Sequence, residues 1–173
     1  MNDKYKSAVH YIIDSCQDPF LLGSIKLNKI LFYSDSAMFI ETNNSITNDV
    51  YIKRQYGPVP KNIVNILKEL ESEKKIAISK KKYENYNHTV FFSLEEVDFS
   101  LLSAKEVAIL NQNKENICNN YTAKSISFET HNEIWQMANI GEEIPLYTIY
   151  ASNLGEINED DIKFIEEAMN AGN

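Results

Sequence analysis

Ser24-Ile-Lys-Leu-Asn-Lys-Ile-Leu-Phe-Tyr-Ser-Asp35, running on to Glu41, is the stretch on which the fold turns. Leu27, Ile30, Leu31, Ser34 and Met38 recur at helical spacing and form one apolar stripe, with Lys26 and Lys29 off it. Ser24 has a side-chain oxygen placed to cap the first turn. The stretch therefore reads as an amphipathic helix that must bury its stripe against other elements.

Working outward, Val9, Ile12, Ile13 and Cys16 share a face, which predicts a first helix over residues 4–16. Asp18-Pro19 ends it, because proline disfavours helix in the residue before it. Val50 to Tyr56 is rich in β-formers and predicts a short strand or extended arm. Gly57-Pro58-Val59-Pro60 is incompatible with a helix interior. Pro60 can open a third helix at its first position, over about 60–74, with Ile63, Ile66, Leu67 and Leu70 as its apolar face.

Ile76–Lys82 and Thr89–Leu94 flank a polar loop and predict a β-hairpin. Ser103-Ala-Lys-Glu106 has the spacing of a capping box and opens a fourth helix that ends near Asn120. A fifth helix is expected from Ser125 or Ser127 to before Gly141, with His131 and Trp135 on one side. Ile144 to Tyr150 suits either an extended segment or a short helix opening at Pro145, and Asn158 caps a last helix over about 158–170. The expected fold is mainly α with a small β-hairpin, a compact single-domain helical bundle-like fold spanning residues 1–173.

The chain has 173 residues, 43% of them hydrophobic, enough for one ordinary core and too few for two comfortable domains. Its net charge of −8 weighs against a general attraction to nucleic acid or anionic lipid. The charge is uneven: residues 1–90 carry 13 basic and 10 acidic side chains, residues 91–173 only 4 and 15. Such a second half is either ordinary solvated surface or an acidic face offered to a basic partner. No apolar run reaches the roughly 20 residues that span a bilayer, and the N-terminus lacks the apolar core of a signal peptide. Cys16 and Cys118 lie far apart in sequence, each among apolar residues, and read as buried free thiols of a reducing, cytoplasmic compartment.

Catalytic and cofactor chemistry finds little purchase. His10, His88 and His131 accompany no recognisable nucleophile motif, and the five glycines are isolated, so no phosphate-cradling loop is formed. No cofactor or metal is expected. His88 and His131 could ligate zinc together with nearby carboxylates, but each also reads as an ordinary histidine. Helix three followed by the hairpin resembles the end of a winged-helix unit, with Lys74, Lys75, Lys80, Lys81 and Lys82 suited to a wing. Glu69, Glu71 and Glu73 on the presumed recognition helix oppose that reading, since they would approach phosphates.

Four pieces then fall in one order: Lys26-Leu-Asn-Lys-Ile-Leu-Phe-Tyr-Ser-Asp35, Arg54-Gln-Tyr-Gly-Pro-Val-Pro60, Leu102-Ser-Ala-Lys-Glu106 and Thr130-His-Asn-Glu-Ile-Trp135. Together they resemble the SocA-like, or Panacea, antitoxin domain, over about residues 21–150. The resemblance implies a mostly helical fold with a small β element. It also implies the antitoxin of a bacterial or phage toxin–antitoxin pair, a non-enzymatic protein that binds its toxin directly. The founding type is an adaptor that delivers its toxin to an ATP-dependent protease.

On this reading Tyr33, Tyr56 and Trp135 are aromatic anchors for the partner, because a few aromatic and Arg side chains carry most interface energy. Lys53 and Arg54 pair with acidic groups of the partner, and Pro58 and His131 complete the surface. Each has a plainer reading beside it: Tyr56-Gly57-Pro58 as a strand-to-helix turn, and His131 with Trp135 as a packed pair whose Trp ring is buried and whose indole N–H is bonded. Two rival functions stand next to the antitoxin: a winged-helix DNA-binding regulator, and a phage-borne inhibitor that covers a basic groove of a host protein.

Overall fold

A computed structural model describes residues 3–82 and 87–146. Among them are six helices: α1 (Asp3–Asp14), α2 (Pro19–Thr42), α3 (Ile63–Ser72), α4 (Ala104–Asn120), α5 (Ala123–Glu129) and α6 (Glu133–Met137). Five strands accompany them: β1 (Tyr51–Arg54), β2 (Gly57–Pro60), β3 (Ile76–Lys82), β4 (Asn87–Ser93) and β5 (Glu143–Ile144). The mainly α expectation holds, with more β structure than the one hairpin. β3 and β4 form the anticipated antiparallel pair, and a second, three-stranded antiparallel sheet has the order β2-β1-β5. The expected helix over 158–170 lies outside the described residues, as does the tip of the β3–β4 hairpin.

α2 is the central element. It packs against α1, α4, α5, β2 and β4, and Leu27, Ile30 and Leu31 are buried. α1 contributes Tyr5, Val9, Ile12 and Ile13 to the same core, α3 contributes Ile63, Ile66 and Leu70, and α4 contributes Leu110 and Ile117. α2 is apolar round most of its circumference, which is how a helix surrounded by others reads. For that reason Lys26 and Lys29, expected off the buried stripe, are buried as well.

Several termini differ from expectation. α2 is capped by Asp18, whose side chain accepts from the Phe20 N–H at 2.9 Å, with Pro19 in its first turn. Gly23, at φ 60° and ψ 166°, then breaks the helical path, so the long regular run does start at Ser24 without Ser24 being the cap. Pro60 does not open α3. It pairs with Tyr51 as the last residue of β2, and α3 begins three residues later behind Asn62. β2 is an edge strand, where the missing proline N–H of Pro58 and Pro60 is tolerated.

The single fifth helix is in fact two. Thr122 caps α5 in a capping box with Ser125, and Asn132 caps α6 by accepting from the Trp135 N–H. Ser103 and Glu106 form the expected capping box of α4.

A buried carboxylate ties α2 to the loop before β1. Asp35 accepts from the backbone N–H groups of Ile46 (2.8 Å) and Thr47 (3.0 Å), from the Thr47 hydroxyl, and from the Tyr51 hydroxyl (2.8 Å). Four donors satisfy a group whose isolation from water would otherwise be costly. Among the described residues, no helix is long and apolar enough to cross a membrane.

Candidate partner-binding site

The site is built on the β1–β2 hairpin, whose register pairs Arg54 with Gly57 and leaves Gln55 and Tyr56 at the turn. Gly57 adopts φ +100°, a backbone angle side chains with a Cβ rarely take. Beneath it lies Lys29, 1% exposed, donating to the Pro58 carbonyl at 3.2 Å. Burial pushes the Lys29 amine down to about 7, since a charged amine loses its hydration there. Thr130 closes the other side, its hydroxyl donating to the Ser127 carbonyl at 2.9 Å.

Lys53 and Trp135 lock the hairpin to α6. The Trp135 indole N–H donates to the Arg54 carbonyl at 3.2 Å. The Lys53 ammonium lies 4.0 Å from the Trp135 ring centre, and donates to the carbonyls of Gln136 (3.3 Å) and Ala138 (2.9 Å). This end of α6 has carbonyls facing outward, and a buried cation satisfies them. On the neighbouring strand side the Lys53 N–H donates to the Glu142 carbonyl and its own carbonyl accepts from the Gly141 N–H.

His131 stacks on Trp135 with ring centres 3.7 Å apart and planes 9° from parallel. Its Nε2 is buried with no hydrogen-bond partner among the described residues. Burial lowers its pKa, and the nearby Lys29 and Lys53 lower it further, so the ring is neutral at neutral pH. The packed-pair reading holds for the stack and the bonded indole, although the Trp ring is half-buried instead of fully enclosed.

Beside this stack opens a largely apolar cleft of about 770 Å³, lined among others by Ile25, Tyr56, Ala123, Phe128, Glu129 and His131. Tyr56 is 52% and Phe128 78% exposed at its rim. A cleft of this size with exposed aromatic walls can accept an apolar segment of another molecule.

Of the seven residues expected to meet a partner, Lys53, Arg54, Tyr56, Pro58, His131 and Trp135 come together around the hairpin. Tyr33 does not line the cleft. It packs edge-on against Phe32 at 5.7 Å, and burial together with Glu129 pushes its hydroxyl up to about 12. Lys53 is buried and engaged with carbonyls of its own chain, which removes it from the role of a free partner for acidic groups. His88 hydrogen-bonds the Phe20 carbonyl at 3.1 Å and packs at Gly23. Among the described residues no cluster of three His, Cys, Asp or Glu could hold a metal.

Lys29, Thr130 and Phe128 were not legible as site residues. The available signal for Lys29 was the lack of a polar face on α2, which leaves its lysines no route to water.

The mainly α fold thus carries a β-hairpin clamped over a buried lysine, with an apolar cleft beside it. The family model described as antitoxin SocA-like, Panacea domain matches residues 27–136, inside the span expected from the motifs, and the chain belongs to this family of antitoxin-like proteins. No curated protein and no solved structure matches the chain.

Proposed function

We propose that this protein is an antitoxin that neutralises a cognate protein toxin in the cytoplasm by direct, non-catalytic contact through the cleft beside the β1–β2 hairpin. The observation that carries the reading is the pairing of family membership with exposed Tyr56 and Phe128 on the walls of one apolar cleft. Exposed aromatics at the edge of a concave apolar surface are the kind of group that supplies most of the energy of a protein interface. Arg54 sits at the same hairpin and contributes a cation for acidic groups of the toxin.

Coexpression with the product of the neighbouring gene tests it. The expected result is rescue of growth and a complex that survives gel filtration. Tyr56→Ala with Phe128→Ala abolishes both while the melting temperature stays within a few degrees. No complex with the neighbouring product, or full rescue by the double variant, overturns the reading. Delivery of the toxin to an ATP-dependent protease is a separate step, read as a toxin half-life that shortens only when protein, protease and ATP are all present.

The winged-helix alternative has weaker support. Glu69 and Glu73 of the presumed recognition helix both pair with Lys6, and Glu71 accepts from the Ile78 N–H. In the wing, Lys81 lies 4.4 Å from the Phe20 ring centre. These groups serve the fold, and α3 keeps the acidic character that repels phosphates.

A further inference from the structure

The loop between β4 and α4 builds a second concave surface, which shares no lining residue with the cleft beside the β1–β2 hairpin. It is a groove of about 450 Å³ walled by the last turn of α1 and by residues 93–99. Its apolar walls are Tyr11, Leu94, Val97 and Phe99, with the Phe99 ring edge-on to Tyr11 at 6.4 Å. Leu94 is 56% and Phe99 53% exposed. Asp14, Glu95 and Glu96 line the same groove and are exposed. None of these three carboxylates is in an ion pair among the described residues.

The loop wall is fixed from beneath. The Ser93 hydroxyl donates to the Glu95 carbonyl at 2.9 Å, and the Nε2 of buried His10 lies 3.0 Å from the Ser93 oxygen. The single hydroxyl proton is committed to Glu95, so His10 is the donor in that second bond. Leu94 N–H donates to the Lys75 carbonyl at 2.9 Å. A wall already held in place has little freedom left to lose when something docks on it.

We propose that this groove docks a basic, apolar segment of a partner protein, with aliphatic side chains against Tyr11, Val97 and Phe99 and with Lys or Arg side chains on Asp14, Glu95 and Glu96.

Charge decides the occupant. An exposed apolar surface rimmed by polar groups marks a place of protein contact, and a rim of one sign admits the opposite sign and turns away its own. Lys75, whose charge reaches His10 and Asp98, is already paired with Glu73 at 3.0 Å. The chain's own residues 147–173 hold six acidic side chains and one lysine, the wrong balance to fill the groove. Glu95 and Glu96 belong to the acidic second half of the chain, and the groove gives that charge a binding role. This proposal stands independently of the toxin reading.

The test uses the full chain and a fluorescein-labelled amphipathic peptide made only of leucine and lysine, followed by fluorescence anisotropy at low salt. The expected result is saturable binding, which a peptide with glutamate in place of lysine, or serine in place of leucine, does not show. Glu95→Gln with Glu96→Gln weakens binding at least about fivefold, the share of two exposed ion pairs. The same loss of charge at Glu142 and Glu143, outside the groove, leaves the affinity within about twofold. Phe99→Ser weakens binding too, measured where its melting curve shows it folded; should it not fold, the glutamine pair decides alone, since both side chains are exposed. Tyr56→Ala with Phe128→Ala, at the other cleft, binds the peptide as the wild type does. Absence of saturable binding, equal weakening by the two glutamine pairs, or equal binding of the serine peptide would overturn the proposal. So would a dimer of the unliganded protein that the Glu95 and Glu96 substitutions dissolve, because the occupant would then be a second copy.

Discussion

Gly57 rests directly on Lys29: a Cβ at Gly57 would lie 2.2 Å from the Lys29 Nζ and 2.3 Å from the Thr130 hydroxyl oxygen. The contact explains why a glycine stands at a turn that already has φ +100°. Gly57→Ala therefore faces two penalties. It strains the backbone, and it must push a buried amine off the Pro58 carbonyl it serves. The expected loss is about 2–4 kcal/mol, from the strain and the displaced hydrogen bond together. Urea denaturation measures it; a loss below that of an ordinary surface substitution would show that Lys29 can step aside freely.

Lys29 also makes stability depend on pH. Unfolded, its amine holds a proton up to about pH 10.4; folded, only to about 7. Between these values the unfolded chain binds more protons, so this residue makes the folded state more stable as pH rises. Below about pH 7 both states are charged and its full burial penalty applies. The stability of the wild type relative to Lys29→Met should therefore rise by about 2 kcal/mol from pH 7 to pH 9. Referring each value to the variant removes the other titrating groups. Parallel profiles for the two proteins would mean that the amine stays protonated inside the fold, held by the Pro58 carbonyl.

The Asp35 knot predicts a coupling energy. Asp35→Ala leaves two backbone N–H groups and two hydroxyls without their acceptor, at an expected cost of about 3–5 kcal/mol. Tyr51→Phe removes one hydroxyl and leaves Asp35 with three donors, costing about 1–2 kcal/mol. The double variant should cost less than the sum, because the bond between Tyr51 and Asp35 is already lost once Asp35 is gone. A double-mutant cycle by chemical denaturation checks this. Strict additivity would mean that the 2.8 Å contact between Tyr51 and Asp35 contributes nothing to folding.

What could be read in the sequence was whatever local chemistry decides alone. The Ser103–Glu106 box, the apolar stripe of α1 and the paired strands Ile76–Lys82 and Asn87–Ser93 each carry their own signal within a few residues. Pro60 misled because proline suits both a helix start and an edge strand, and only pairing with Tyr51 decides between them. His131 and Trp135, four apart, suggested one helix, whereas the Asn132 cap starts a new one between them. The clamp over Lys29 was beyond local reading, because the glycine and proline carbonyl of β2 and the threonine after α5 that enclose it come from two segments far from Lys29 in the sequence.

Trp135 holds the hairpin to α6, and two substitutions test whether it also meets the partner in the proposed function. Trp135→Phe keeps an aromatic ring for His131 to stack on and for the Lys53 ammonium to face, but loses the N–H bonded to the Arg54 carbonyl. Its expected cost is about 1–2 kcal/mol, that of one hydrogen bond with its acceptor left behind. Trp135→Ala additionally removes the stack and the ring beneath Lys53, and exposes the side of the β1–β2 hairpin, for an expected total of about 3 kcal/mol. If the ring acts only through the fold, toxin binding by either variant should recover fully when measured where the variant is wholly native. If it also touches the toxin, Trp135→Ala stays weak there while Trp135→Phe binds. The hairpin points to the second outcome, because Tyr56 at its tip and His131 on the Trp ring line the same cleft; titration calorimetry on both variants below their melting transitions distinguishes the two.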